Sequence, residues 1–252
     1  MNHTGGVPAK KVQEHYDSVA PVYDMRYDSD MGRAYHRHIS SALLEYLPPG
    51  YRLLDLGCGT GLFMRRYGET GGDAVGLDIS RGMIENARCR CNGFEFCMGT
   101  AEELPFREGA FDAISCLLAF SYLQHPSRML SEASRILKPG GRIAVCTLSR
   151  NMLTSLVPAI YRLGELIDIR HIGVGDFGER YYTEDELVIL FSEAGFLDIS
   201  VRRVSFAHIS LKKPIFEIAR KMEPFVEERM PSLAYNIVVS GRKPGLSGGP
   251  AP

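Results

Sequence analysis

Three glycines at alternate positions, Gly57, Gly59 and Gly61, are the residues of this chain whose spacing points most directly to chemistry. They follow a short apolar run that ends in a carboxylate, Asp55, so the stretch reads as a strand that turns at once into a helix. Glycine lacks a Cβ atom, which lets a ligand approach the backbone and permits the tight turn. The pattern therefore predicts a loop that binds a small-molecule cofactor of the nucleotide type.

The spacing of the glycines separates two kinds of cofactor. A dinucleotide-binding loop with the pattern G-x-G-x-x-G would need glycine at position 62, where the chain has Leu62. An NAD-linked oxidoreductase is therefore disfavoured. The pattern G-x-G-x-G after an acid instead resembles motif I of the class I methyltransferases that depend on S-adenosylmethionine (SAM), a cofactor without phosphates.

Asp78 supports this resemblance because it ends the next apolar stretch. Its separation from the glycine loop is typical of the acid that binds ribose in a β-α-β unit. A carboxylate suits a ribose diol because it only accepts hydrogen bonds. Ser80 follows and is a predicted helix cap, so a role for Asp78 in the turn stays open as the alternative.

Further motifs follow in the family's order over residues 53 to 149. Residues 99 to 106 resemble the loop that holds adenine, although Thr100 stands where the family usually has aspartate. Residues 111 to 118 resemble the fourth strand, and residues 139 to 141, Pro-Gly-Gly, predict a turn before the fifth. The resemblance is to the broad type that includes the menaquinone and ubiquinone C-methyltransferases, and it is specific for the cofactor rather than for the methyl acceptor.

The resemblance implies SAM as cofactor, S-adenosylhomocysteine as product and no metal. The implied cofactor-binding residues are Tyr16, Tyr23, Asp55, Gly57, Cys58, Gly59, Gly61, Asp78, Ile79, Thr100, Ala101, Glu102 and Leu117. Among them, Cys58 is expected as a spacer and Ala101 as a backbone donor to the adenine ring. Residues 16 to 24 resemble the family pattern Y-D-x-x-A-x-x-Y-D, and a separation of seven predicts that both tyrosines share one helical face.

A catalytic residue does not follow from the resemblance, because Ser121 and Tyr122 stand where the family often has His-His or Glu-His. Tyr122 and His125 are the candidates for a general base, which is needed only if the acceptor must lose a proton. His125 precedes a proline at a predicted helix start, so a capping or surface role is its alternative. The histidines of the variable segments are interpreted as structural or exposed; they are His36, His38, His171 and His208.

Alternating apolar strands and helices predict an α/β fold with a doubly wound, mostly parallel sheet. The predicted strands are 51–56, 73–78, 93–98, 111–117, 142–147, 196–206 and 235–242, and the family order is 3-2-1-4-5-7-6 with the last strand antiparallel. The sequence reads as a single domain over 1–244, with an N-terminal segment (10–40), helical insertions (151–182 and 207–233) and a disordered tail (245–252). We expect the segment and the insertions to form a mobile lid with an apolar, aromatic inner face.

Composition excludes several classes of protein. A net charge of −1 gives no field that would recruit nucleic acid, and no apolar run has the length of a membrane helix. A polar start without a secretory signal predicts a cytoplasmic location. Six cysteines without paired spacing fit a reducing compartment. Cys89, Cys91 and Cys97 could bind a metal, but their C-x-C spacing is not that of structural zinc, so we interpret them as small, partly buried residues.

The sequence thus predicts a SAM-dependent methyltransferase for a small acceptor that is hydrophobic, phenol-like, quinone-like or lipid-like. Two alternatives stay open. One is methylation of a protein side chain, which would need an open acidic or basic groove. The other is a SAM-binding module without catalysis, because Thr100 and Tyr122 depart from the family pattern. The acceptor atom and the oligomeric state do not follow from the sequence.

Overall fold

A computed structural model describes residues 7–151, 178–209 and 211–245 of the chain. The described helices are α1 (Ala9–Val19), α2 (Met25–Asp28), α3 (Asp30–Leu44), α4 (Leu62–Gly68), α5 (Arg81–Arg90), α6 (Pro126–Ile136), α7 (Glu184–Glu193) and α8 (Lys213–Arg229), with 3-10 turns at Phe120–Tyr122 and Pro231–Leu233. The strands are β1 (Arg52–Leu56), β2 (Asp73–Asp78), β3 (Glu95–Met98), β4 (Phe111–Leu117), β5 (Leu137–Leu148), β6 (Leu197–Val204) and β7 (Asn236–Arg242). The predicted insertion helix within 152–177, with His171, and the tail from 246 lie outside the described residues.

The seven strands form one sheet in the order β3-β2-β1-β4-β5-β7-β6. The pairs from β3 to β5 are parallel, and β7 runs antiparallel to both of its neighbours. The predicted fold is therefore confirmed, including the reversed last strand. In the register of the sheet, Asp55 on β1 lies between Gly76 on β2 and Ser115 on β4.

The start of β5 differs from the prediction. The ladder begins at Leu137, which pairs with Phe111, and then shifts register before Ala113 pairs with Arg142. The residues predicted as a free turn before the strand therefore belong to its irregular first part. Gly140 has a φ of 79°, which provides the local bend without ending the pairing.

Helices cover both faces of the sheet, which explains why β1 is buried along almost its whole length. On one face, α6 and α7 bury residues such as Leu130 and Phe191. On the other face, α3, α4 and α8 bury Leu43, Met64 and Phe216. With both faces covered, the carboxyl ends of the parallel strands form the edge at which a ligand can enter.

Side-chain contacts fix the helices to this frame. The Ser80 hydroxyl accepts from the Met83 amide and caps α5, as predicted. His38 on α3 hydrogen-bonds Glu227 on α8 at 2.6 Å, and Glu227 also accepts from the Ser205 amide at 2.7 Å. This contact holds α8 against α3. Among the described residues, no helix has both the length and the apolar character needed to cross a bilayer.

The three clustered cysteines have different surroundings. Cys89 is exposed, whereas Cys91 is buried and its thiol donates to the Gly61 carbonyl at 3.3 Å. Cys97 donates to the Gly76 carbonyl at 3.7 Å. Within the described part of the chain, the group spaced for a metal ion is His38 with two glutamates of α8, and it includes none of these thiols.

The N-terminal segment corrects one prediction. Tyr16 lies in α1, but α1 ends at Val19 and Tyr23 lies in the turn that follows, so the two residues do not share a helical face. Pro21 explains the break, because it has no N–H to continue the helix. The turn still brings the two tyrosine rings together, with centroids 6.1 Å apart.

Candidate cofactor and acceptor site

A cleft lies over the carboxyl ends of β1, β2 and β4, where the strand order reverses. It encloses about 1220 Å³, including its open mouth. Ten of the predicted cofactor residues line it: Tyr16, Tyr23, Gly57, Gly59, Asp78, Ile79, Thr100, Ala101, Glu102 and Leu117. Asp55 and Cys58 line a smaller recess that shares the glycine loop with the cleft, and Gly61 lines neither.

The three loop glycines serve different purposes, although all have positive φ, at 70°, 52° and 78°. A Cβ atom on Gly57 would lie 2.3 Å from the Cβ of Ala119, and one on Gly61 would lie 2.9 Å from the Cys91 sulfur. These two glycines permit close packing. A Cβ on Gly59 would meet no atom within 4 Å, so this position leaves space open at the cleft.

Substitution of Gly59 by valine is therefore expected to abolish SAM binding while the fold is retained. The branched side chain would fill ligand space and would strain the backbone by about 1 to 3 kcal/mol. Calorimetric titration with S-adenosylhomocysteine and a thermal melt measure the two effects separately. Gly109→Val is the matched control, because Gly109 also has a positive φ, 62°, and open surroundings but does not line the cleft. Normal binding by the Gly59 variant would contradict the placement of the loop.

Cys58 acts as a spacer in the glycine loop. Its amide and that of Gly57 both donate to the Leu77 carbonyl, at 3.1 and 2.7 Å. Its thiol is buried beneath β2, where a Cβ on Gly76 would lie only 2.8 Å from the sulfur. Burial raises the pKa of the Cys58 thiol, so the side chain is no nucleophile at neutral pH.

Asp78 takes part both in the cleft and in the turn after β2. One carboxylate oxygen accepts from the Gly59 amide at 2.8 Å, and the other accepts from the Ser80 amide at 2.9 Å. Burial raises the pKa of this carboxyl, and the two amide donors oppose the shift. The carboxylate retains lone pairs that can accept from a ribose diol in the cleft. Ribose binding and a structural role in the turn, the two roles predicted for Asp78 from the sequence, are therefore compatible.

Asp55 lies in the smaller recess and is almost fully buried, with 1% exposure. It accepts from the Ser115 hydroxyl at 2.7 Å. Burial raises the pKa of Asp55 to about 7, and the nearby Asp78 adds to the effect. The recess thus holds a carboxyl that a cationic ligand would ionise.

His36 lines the same recess as Asp55. Burial lowers the pKa of His36 to about 4, with further lowering by the charges of Arg66, Arg65 and Arg90. A buried carboxyl beside a neutral imidazole suits the ammonium group of an amino acid, from which the Asp55 carboxylate can accept hydrogen bonds. The recess can therefore hold the methionine end of an amino-acid-bearing nucleotide.

The loop after β3 is tied to the start of α6. The Glu102 carboxylate accepts from the amides of Gln124 and His125, at 2.8 and 3.0 Å. The Thr100 hydroxyl accepts from the Glu102 amide at 3.3 Å and closes a local turn. The Ala101 amide donates to none of the described residues, which leaves it open to a ligand in the cleft.

Two aspartates fasten the N-terminal segment over the cleft. Asp17 accepts from the Ser80 hydroxyl at 2.6 Å and from the Gly82 amide at 3.1 Å, at the start of α5. Asp24 accepts from the Thr60 hydroxyl of the glycine loop at 2.6 Å and also pairs with Arg90. Tyr16 and Tyr23, which flank these contacts in sequence, are thereby held at the cleft wall.

Of the two candidate bases, only Tyr122 lines the cleft. Its hydroxyl donates to Glu179 at 3.1 Å, and its ring lies edge-on to Tyr16 with centroids 5.6 Å apart. Burial raises the pKa of Tyr122, so the hydroxyl stays protonated at neutral pH and acts as a donor. His125 is exposed at the start of α6, and its side chain is not part of the cleft wall.

Among the cleft residues that the sequence did not single out as binding residues, four carry polar or aromatic groups close to one another, namely Arg26, Tyr27, Tyr35 and His208. His208 is buried, with its ring 5.4 Å from that of Tyr35 and 5.0 Å from that of Tyr235. Burial lowers the pKa of His208 to about 4, so the imidazole is neutral at pH 7. The position of Arg26, two residues after the Tyr23-Asp24 pair, was a sequence signal that could have identified it as a cleft residue. For His208 no such signal exists, because only tertiary packing brings it to the cleft.

Leu118, which directly follows β4, has a φ of 64°, an uncommon conformation for a residue other than glycine. Its amide donates to the Cys146 carbonyl of β5 at 2.8 Å, which holds the chain in this conformation. Both the cleft and the recess are lined by Leu118. Backbone strain of this kind concentrates at functional sites.

The fold and the cleft define an α/β protein of the Rossmann-like type that binds a nucleotide cofactor at the carboxyl ends of its strands. Residues 54–145 match the family described as "Methyltransferase domain". The ubiquinone/menaquinone biosynthesis C-methyltransferase of Acidiphilium cryptum is 30% identical over 218 residues, which cover 82% of this chain and 87% of that protein. The demethylmenaquinone methyltransferase of Renibacterium salmoninarum is 28% identical over 228 residues, covering 85% and 95%.

A solved structure agrees with these relatives. The SAM-dependent methyltransferase of Thermotoga maritima, described as a possible histamine N-methyltransferase, superimposes with a TM-score of 0.69 at 26% identity. The match covers 92% of this chain and 99% of that one. The chain belongs to the class I SAM-dependent methyltransferases, and its cofactor is SAM.

Proposed function

We propose that the protein transfers the methyl group of SAM to a ring carbon of a small aromatic acceptor, the reduced quinol form of a quinone. The observation that carries the proposal is the aromatic wall of the cleft beside the cofactor loop, formed by Tyr16, Tyr23, Tyr27, Tyr35 and Tyr122. Flat apolar rings are the class of ligand that such a wall accommodates. Relatives named for demethylmenaquinone and for quinone C-methylation point to the same acceptor class.

The residues present fit the cofactor. Asp78 would accept from the ribose hydroxyls, the Ala101 amide would donate to the adenine ring, and the recess at Asp55 and His36 would take the methionine end. Gly59 leaves the space that the cofactor needs against the loop. Each of these assignments is a proposal that mutagenesis can test.

The cofactor supplies a methyl group on a sulfonium, which is electrophilic and transfers by in-line displacement. The protein therefore has to align the acceptor carbon and to keep water out. Tyr16 and Tyr23 are held over the cleft by the two aspartate contacts, and the Tyr122 hydroxyl is kept protonated by burial. The acceptor must be reduced, because the ring of a quinone is electron-poor. In a quinol the two hydroxyl oxygens donate electron density to the ring carbon that attacks the methyl group.

The aromatic wall also makes the cleft a poor fit for the alternative acceptor, a protein side chain. A protein side chain would require an open groove lined by acidic or basic residues along which a peptide can lie. The described wall beside the glycine loop is instead mostly aromatic; its acid Glu179 is engaged with Tyr122, and its cation Arg26 lies over two tyrosine rings. A small hydrophobic acceptor is therefore the better fit.

The proposal predicts methyl transfer to a short-chain demethylmenaquinol kept reduced under anaerobic conditions. Mass spectrometry of the acceptor should show one added methyl group on carbon, in equal amount to the S-adenosylhomocysteine formed. The same compound in its oxidised quinone form is the control and should remain unmodified. Tight SAM binding without transfer to the quinol would favour the non-catalytic module. Methyl groups transferred from SAM to a mixture of peptides would favour the protein acceptor.

A further inference from the structure

Arg26 is a cation in an otherwise apolar and aromatic part of the cleft wall. Its guanidinium carbon lies 5.8 Å from the centre of the Tyr23 ring and 5.3 Å from that of Tyr27. The side chain is half-buried, and the charge is permanent because the guanidinium does not deprotonate in proteins. Stacking on two aromatic faces fixes the group without neutralising it.

The Arg26 side chain forms no hydrogen bond or ion pair with any residue in the part of the chain that the structure describes; its contacts there are the two tyrosine rings. The acids that line the same cleft have other partners. Asp78 accepts from two backbone amides, Glu102 holds the start of α6, and Glu179 accepts from Tyr122. Five guanidinium donors at a ligand cleft are therefore available for an external acceptor.

Arg26 belongs to the cleft rather than to the recess beneath the glycine loop that holds Asp55, although the two tyrosine rings beneath it line both. Its charge helps to lower the pKa of His208, and it opposes the rise in pKa that burial causes in Tyr16, Tyr23 and Tyr35. His208 is neutral at pH 7, so Arg26 is the full positive charge of this wall among the described residues.

We propose that Arg26 binds an ionised oxygen of the methyl acceptor, the phenolate of an aromatic ring. The inference rests on the proposed function for the existence of an aromatic acceptor, and it adds which substituent that acceptor carries. A planar guanidinium between two tyrosine rings presents its donors to the edge of a third ring that enters the cleft. An acceptor whose hydroxyl is replaced by an ether loses this contact.

The subsite would also prepare the acceptor for reaction. The phenolic O–H bond breaks, the proton leaves to solvent, and the oxygen's electron pair is delocalised onto the neighbouring ring carbon. That carbon forms its bond to the methyl group as the methyl–sulfur bond breaks and its pair returns to sulfur. The ring proton then leaves to solvent and the oxygen regains one, which restores the aromatic ring with a net release of one proton.

A stable probe tests the subsite without turnover. In the presence of saturating S-adenosylhomocysteine, 1-naphthol is titrated into the protein, and its absorbance reports the pKa of the bound hydroxyl. We expect the wild type to lower that pKa and Arg26→Gln to weaken binding of the phenolate by about 10- to 150-fold, as for the loss of a charged hydrogen bond. Arg26→Lys should keep part of the effect. Arg33→Gln, an exposed arginine outside the cleft wall, is the matched control.

Three results would overturn the inference. The first is a loss of S-adenosylhomocysteine affinity in Arg26→Gln as large as the loss for naphtholate, which would assign Arg26 to the cofactor's carboxylate. The second is an equal loss for 1-methoxynaphthalene, which would show a packing role only. The third is failure of the wild type to bind 1-naphthol. Phenolate binding that depends on Arg26, together with an inactive quinol assay, would support the subsite and reject the quinol acceptor.

Discussion

Replacement of Asp78 by alanine is expected to weaken SAM binding by about 10- to 150-fold, the factor that corresponds to roughly 1.5 to 3 kcal/mol for charged hydrogen bonds. The carboxylate would accept from the ribose hydroxyls, and it already orders the loop through the Gly59 and Ser80 amides. The variant therefore loses both the ligand contact and the loop contact. Calorimetry with SAM and with S-adenosylhomocysteine measures the loss.

Two further variants make the Asp78 result specific. Asp78→Asn keeps one oxygen acceptor for the loop amides but loses the charge, so its affinity should fall between that of the wild type and that of the alanine variant. Asp73→Ala changes an exposed acid at the other end of the same strand and should bind normally. Wild-type affinity in Asp78→Ala would remove this residue from the ribose site.

Asp55→Asn is expected to have effects of opposite sign on binding and on stability. In the unfolded chain Asp55 ionises near pH 3.8, whereas in the folded protein burial holds its pKa at about 7. The contribution of this group to stability is therefore full below about pH 4 and is lost as the pH rises to 7. Asparagine removes that loss, because it cannot ionise, and its side-chain oxygen can still accept from Ser115.

The ligand-free Asp55→Asn protein should accordingly melt at a higher temperature than the wild type at pH 8, with a smaller difference at pH 5. For a chain of this size each kcal/mol corresponds to about 2 to 4 °C. Binding of SAM should fall by about tenfold or more, because the ammonium of the cofactor loses its carboxylate. Asp73→Asn is the control for both measurements. A variant that is less stable at pH 8, or that binds normally, would contradict the buried charge site.

Most strand positions were predictable because each strand is a short apolar run with turn residues at its ends, whereas the sheet order followed from the family resemblance. The start of β5 was not predictable, because an irregular pairing through Gly140 depends on the neighbouring strand rather than on local sequence. The prediction that Tyr16 and Tyr23 share a helical face was wrong because the helix ends before Pro21. The prediction used only the spacing of the two tyrosines and did not consider this proline.

The cofactor side of the site was more predictable than the acceptor side. Gly59 and Asp78 belong to motifs whose residues are close in sequence, so their spacing carries the information. Arg26 and His208 reach the same wall from opposite ends of the chain, and only the packed structure brings them together. The proposed roles of all these residues stay predictions until the variants are measured.

The contact between Asp24 and Thr60 has a consequence for how this chain can diverge. Thr60 belongs to the loop that faces the cofactor, and Arg26 follows Asp24 by two residues at the start of α2. A change that moves the loop is therefore transmitted to the cleft wall at Arg26 through the Asp24–Thr60 hydrogen bond and through Arg90, which contacts both residues. Substitutions at that wall are therefore expected to change the affinity for the methyl donor as well, so that acceptor range and donor affinity change together as the sequence diverges.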